Sequence, residues 1–220
     1  MSGVSSAELF LVSLLLLYLE LACIRWFPAH VLYLTFFSNA VLLASFLGMS
    51  LGCLLADARR NYITLTAPLL FVAMLAAQWI GAERDALQTV LRVGDPLAPQ
   101  LVFFGTEYAA DDPTRLVIPI EVLAGCFFLA VALIMIGPGQ ELGRALIRLP
   151  NRLRAYSLNI AGSLTGILLF AACSFMELSP VWWFAPVVLA LGYFVFVASP
   201  VRDRPERWRL LPLGTQGRHG

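Results

Sequence analysis

Lysine is absent from this chain, histidine occurs only twice, and charged side chains of any kind make up just 13% of its 220 residues. A water-soluble domain carries roughly 25% charge, so this shortage excludes a solvated globular surface. Because lysine is missing, arginine supplies all the strongly basic side chains, which we read as a compositional bias without mechanistic content. His30 and His219 have no metal-ligating neighbour at helical spacing, and neither HExxH nor CxxC occurs, so no metal site is indicated. Cys23, Cys53, Cys126 and Cys173 fall singly in separate apolar stretches and form no secreted disulfide framework. Also lacking is a strand, glycine-rich loop and helix unit with a downstream acid, the arrangement a nucleotide cofactor requires. No Ser/His or paired-aspartate constellation is present either. The expectation is therefore a chain without catalytic residues or cofactor, and a net charge of +1 gives no reason to expect nucleic acid as a partner.

What the chain does have is apolar length: 60% of it is hydrophobic and its mean hydropathy is +0.80. A spanning helix needs about 20 mostly apolar residues, because each rises about 1.5 Å across a hydrocarbon layer of roughly 30 Å. Six segments meet that length, at approximately 8–27, 30–56, 62–82, 116–136, 155–176 and 181–199. The fold expected is all-α, a polytopic bundle of six transmembrane helices over residues 1–200, with an outer loop at 83–115 and an arginine-rich tail at 201–220. Gly137, Pro138 and Gly139 read as the stop of the fourth helix. Residues 85–93 can be read as a short interfacial helix, though an ordinary connector is the simpler reading. The first span is expected to be retained, since its apolar run is long for a signal peptide, its leader lacks basic residues, and Glu20 and Arg25 interrupt the cleavage region.

Charge placement orients the bundle. Arg59 and Arg60 follow the second span, Arg144, Arg148, Arg152 and Arg154 the fourth, and Arg202, Arg204, Arg207 and Arg209 the sixth. All lie on one side, which the positive-inside rule makes cytoplasmic, together with both termini. A bacterial cytoplasmic (inner) membrane is the expected location. Trp26, Tyr33, Trp79, Trp182 and Trp183 fall near span ends, as an interfacial aromatic belt does.

Two kinds of residue stand out within the spans. Small residues recur at Ala40, Ala44, Gly48, Gly52 and Ala56, and again at Gly162 and Gly166 beside Ser163, clearing faces for close helix packing or for a homodimer. Acids are the second kind. Glu20 and Glu121 both fall roughly 10 Å below the outer surface, with Asn39 at a similar level and Arg25 near the rim. A carboxylate in hydrocarbon costs about 2.5–3.5 kcal/mol and survives only when paired, protonated or wetted. The four residues Glu20, Asn39, Glu121 and Arg25 are thus a candidate cation-binding cluster, or else a buried network in which Arg25 pairs with one acid and Asn39 caps the other. Asn159, one turn before Ser163, forms a polar stripe near the cytoplasmic end of the fifth span and either lines a cavity or bonds to a neighbouring helix.

The segments LELACIRWF (from Leu19), FSNAVLLASFLGMSLGCLLA (from Phe37), GPGQELGRAL (from Gly137), RLRAYSLNIAGSLTGILLF (from Arg152) and WWF (from Trp182) resemble the transmembrane region of membrane-bound spermidine synthase-like proteins. In that family the membrane region precedes a cytoplasmic domain similar to the polyamine aminopropyltransferases. After Ser199 this sequence offers only a short arginine- and proline-rich tail, and none of the family's catalytic residues falls on it. The resemblance implies a non-catalytic membrane module that anchors or regulates a cytoplasmic synthase-like domain or protein. Its other partner is the lipid bilayer. The alternative is a transporter-like module for a small cation or polyamine, using Glu20 and Glu121.

Overall fold

The computed structural model describes residues 2–30, 38–82, 91–93, 116–118 and 120–198. Within them the helices are α1 (Ser2–His30), α2 (Ser38–Leu54), α3 (Ile63–Ala82), α4 (Ile120–Arg148), α5 (Arg152–Phe175), the short α6 (Pro180–Trp183) and α7 (Ala185–Gly192), which continues as a π-helical stretch, Tyr193–Ala198. Apart from three-residue strands β1 (Leu91–Val93) and β2 (Leu116–Ile118), paired in parallel, the described elements are helical. Of residues 85–93, which can be read as an interfacial helix, only Leu91–Val93 are described, as β1; residues 85–90 lie outside the described residues. The rest of the outer loop and the tail at 201–220 lie outside the described residues.

Three stretches, Ser6–His30, Val122–Arg148 and Arg152–Phe175, are long and apolar enough to cross a membrane. Three others, Asn39–Leu54, Ile63–Trp79 and Ala185–Val197, are apolar but shorter. Such a chain is compatible with an integral membrane protein, and its exposed surface agrees. Leu43, Phe71, Leu129, Leu168 and Phe196 all present more than half of their surface outward, as lipid-facing side chains do.

Central in the bundle is α1, which touches α5, α4, α2, α7 and α3. Its Leu9, Val12, Leu15, Leu16, Leu19 and Phe27 are buried among Val131, Ile134 and Met135 of α4 and Val187 of α7. The most extensive pairings are α2 with α4 and α1 with α5. Both rest on glycine. A Cβ on Gly52 would lie 2.7 Å from the Gln140 nitrogen, and one on Gly162 would lie 2.9 Å from Ser13 Cβ. Gly48 and Gly166 are likewise closed off, by the backbone of Ala132 and of Leu14. The two glycine faces are thus filled from within the chain, so a homodimer would need some other surface.

The expected helix stop at Gly137-Pro138-Gly139 is not one, because α4 runs unbroken through it to Arg148. Proline removes the donor that would bond the carbonyl four residues earlier. That carbonyl, Ile134 O, instead accepts from Thr66 Oγ1 of α3 at 3.3 Å. A neighbouring side chain thereby replaces the lost donor, the way proline is tolerated in helices shielded from water. The glycines serve packing: Gly137 lies against Ile63 and Tyr62 on the α3 side, and Gly139 and Gly143 against Met49 and Cys53 of α2. The expected sixth span, by contrast, is interrupted at Phe184 between α6 and α7, and α7 then runs on into the π stretch.

Candidate functional site

The helical extension past Pro138 carries a polar cluster at the arginine-bearing end of the molecule. Gln140, Glu141 and Arg144 are buried there, with Gln140 wholly enclosed. Residues 140 and 144 stand one turn apart and so share a face of α4. Against that face lies the turn joining α2 to α3, whose carbonyls have left helical bonding. Gln140 donates from Nε2 to Leu55 O and Arg60 O, each at 2.9 Å, and accepts from the Tyr62 backbone N–H at 2.9 Å. Arg144 donates from Nε to Ala56 O (2.9 Å) and from Nη2 to Ala58 O (2.7 Å) and Arg60 O (3.3 Å). Its Nη1 donates to Asn61 Oδ1 at 2.7 Å and to Glu141 Oε1 at 3.1 Å. Only the planar, multiply donating guanidinium can reach so many acceptors from one stem.

This clamp escaped sequence reasoning, which counted Arg144 among the orienting arginines. The signal was available: an amide and a guanidinium four apart, enclosing an acid three before the arginine, inside GPGQELGR. Arg148, by contrast, sits at the surface and pairs with Glu8 of α1 at 3.0 Å.

Of the candidate cation cluster, the described side chains Glu20, Asn39 and Arg25 do not bond to one another. Glu20 is 3% exposed in the core of α1, and its Oε1 has no hydrogen-bond partner among the described residues. Asn39 is the second residue of α2 and is exposed. Arg25 is exposed on α1, where it donates to Ser174 Oγ of α5 and stacks 4.8 Å above the Trp183 ring of α6. Glu121 is the second residue of α4, and its side chain lies outside the described residues. Neither Asn39 nor Arg25 therefore serves Glu20. The reason is rotational: five residues turn Arg25 about 140° from Glu20, onto the side of α5 and α6.

Asn159 bonds to a neighbouring helix: its Oδ1 lies 2.7 Å from Ser13 Oγ of α1, whose single proton is shared between that oxygen and Leu9 O at 2.8 Å. One turn on, Ser163 is half-buried on the same seam. Farther along, Tyr18 meets Phe170 edge-on and donates to Cys173 Sγ at 3.6 Å. The seam is thus zipped along its length by small and polar groups. Among the described residues no group of three or more His, Cys, Asp or Glu side chains could hold a metal ion.

Comparison with protein-family models, with curated proteins and with solved structures finds no match to this chain. Its function has to be argued from the geometry above.

Proposed function

We propose that this chain is a non-catalytic integral membrane module of the spermidine synthase-like type, which anchors or regulates a cytoplasmic aminopropyltransferase-like enzyme. In this reading the apolar helices make a six-span bundle in a bacterial inner membrane, with both termini and the arginine-bearing end in the cytoplasm. The observation that carries it is the clamp. Gln140, Glu141 and Arg144 spend their polar groups on holding the α2–α3 turn rather than on an open cavity. The end they stiffen exposes Arg59, Arg60, Arg154, Leu153 and Tyr156, the last two at 76% and 64%. Arginine and tyrosine around an apolar centre are what protein interfaces favour. Membrane recruitment tests this. A soluble aminopropyltransferase from the same source should float with vesicles carrying this chain and should fall away with Leu153→Glu and Tyr156→Glu. Equal flotation with empty vesicles would refute it.

A second reading, a module handling a proton or small cation, is favoured by one observation, the burial of Glu20 with an unpartnered oxygen. Intramembrane acids are functional candidates by default. Radiolabelled spermidine bound saturably by the protein in nanodiscs, and lost in Glu20→Gln, would promote this reading. No binding by the wild type would dismiss it for polyamines.

A further inference from the structure

At the arginine-bearing end an open groove of about 540 Å³ runs between α1, α5 and the π stretch, lined by Ser6, Ala7, Phe10, Leu11, Leu158 and Tyr193. Its volume falls in the ~300–1,000 Å³ range of small-molecule sites, and its walls are almost wholly apolar. Ala7 is exposed, so the groove opens sideways out of the bundle, where an acyl chain would meet it. Two further observations set it apart from ordinary lipid-facing surface.

The first is charge at its mouth. Arg154 lies one turn before Leu158 on the same face of α5, about 6 Å toward the helix start. It is exposed, and the first turn of α5 contains no acid. Glu8, the acid beside the groove on α1, is held by Arg148 at 3.0 Å. Among the described residues the mouth therefore keeps a positive charge, while the walls below it are hydrocarbon. The second is backbone form. At Tyr193 the chain passes from α- to π-helix, and Tyr193 is a lining residue. Single π turns are rare and are frequently found at functional sites.

We propose that this groove binds one anionic phospholipid, its acyl chain lying along Phe10, Leu11, Leu158 and Tyr193 and its phosphate on the Arg154 guanidinium. Apolar walls alone would accept any lipid; an arginine without an acidic partner among the described residues selects a net negative headgroup. A zwitterionic headgroup carries its own cation and gains less there.

Native mass spectrometry of the purified full chain, titrated with phosphatidylglycerol or with phosphatidylcholine of identical chains, tests the assignment. The wild type should retain one phosphatidylglycerol in preference to phosphatidylcholine by about fivefold. Arg154→Gln should bring the two lipids to parity. Arg59→Gln, equally exposed but on the α2–α3 turn, should leave the preference intact. Leu158→Trp, which fills the groove, should abolish retention of both lipids, and Ala7→Trp does the same from the α1 side should the first variant fold poorly. Equal retention of the two lipids by the wild type, or equal losses in Arg154→Gln and Arg59→Gln, would overturn the proposal, the latter showing a diffuse surface charge. Retention undiminished in both tryptophan variants would overturn the groove as the site.

Discussion

The Nε of Arg144 donates to the carbonyl oxygen of Ala56 at 2.9 Å, so a side chain near the end of α4 closes the backbone that leaves α2. Two guanidinium nitrogens, Nε and Nη2, and the Gln140 amide together occupy the carbonyls of Leu55, Ala56, Ala58 and Arg60. Removing such a group strands several buried acceptors at once.

Arg144→Ala is accordingly expected to cost about 3–5 kcal/mol, since it removes one side of a buried ion pair together with the donors to the Ala56 and Ala58 carbonyls. Arg144→Lys should restore little, because an ammonium on a single stem cannot serve Ala56, Ala58 and Asn61 together. Unfolding in mixed micelles measures both. A lysine variant as stable as the wild type would show that charge alone, and not the fork, holds the turn.

The Thr66–Ile134 bond stands in for the donor that Pro138 lacks. Thr66→Val should cost about 1 kcal/mol in the native background, where Ile134 O then goes unpaired. In a Pro138→Ala background the restored backbone N–H serves that carbonyl, and the same change should cost close to nothing. A double-mutant cycle gives the coupling; additive costs would mean that the hydroxyl and the proline act independently.

Glycine substitutions should divide sharply by position. Gly162→Leu must push α1 from α5, because even its Cβ would lie 2.9 Å from Ser13 Cβ, and overpacking of this kind costs about 1–3 kcal/mol. Gly125→Leu and Gly192→Leu meet open space and should be tolerated. Disulfide trapping between cysteines placed at Ser13 and Asn159, 2.7 Å apart through their side chains, reports the seam directly. Trapping unchanged in Gly162→Leu would contradict the tight approach.

Glu20→Leu should insert normally and raise stability by about 1–3 kcal/mol, because it removes a buried polar group whose Oε1 has no partner. Any activity that resides in this acid would disappear in the same variant, the familiar opposition of stability and function at a buried site. A destabilised Glu20→Leu would instead reveal a partner for the carboxyl in the folded protein.

The apolar segments, the arginine bias toward one end and the small-residue faces were legible in the linear sequence, because hydropathy and i, i+4 spacing are local properties of a helix. Helix ends were less so. Glycine and proline at 137–139 carry the signature of a stop, and only the presence of Thr66 from another helix allows α4 to continue. Depth along each helix could be counted from its ends, which placed Glu20 and Asn39 at one level. Rotation between helices could not, and it leaves Asn39 exposed and turns Arg25 toward Ser174 and Trp183. The role of Arg144 was hidden for the same reason, since apart from Glu141 its partners lie more than 80 residues away.

By itself, then, the sequence determined that this chain is apolar, helical and asymmetric in charge, because those follow from composition and from intervals of three and four residues. Tertiary structure alone decided which polar groups meet. A hydrogen bond depends on the azimuth of two helices about their axes, and azimuth is set by the packing of glycine faces such as Gly52 on Gln140 and Gly162 on Ser13, not by any interval within one helix.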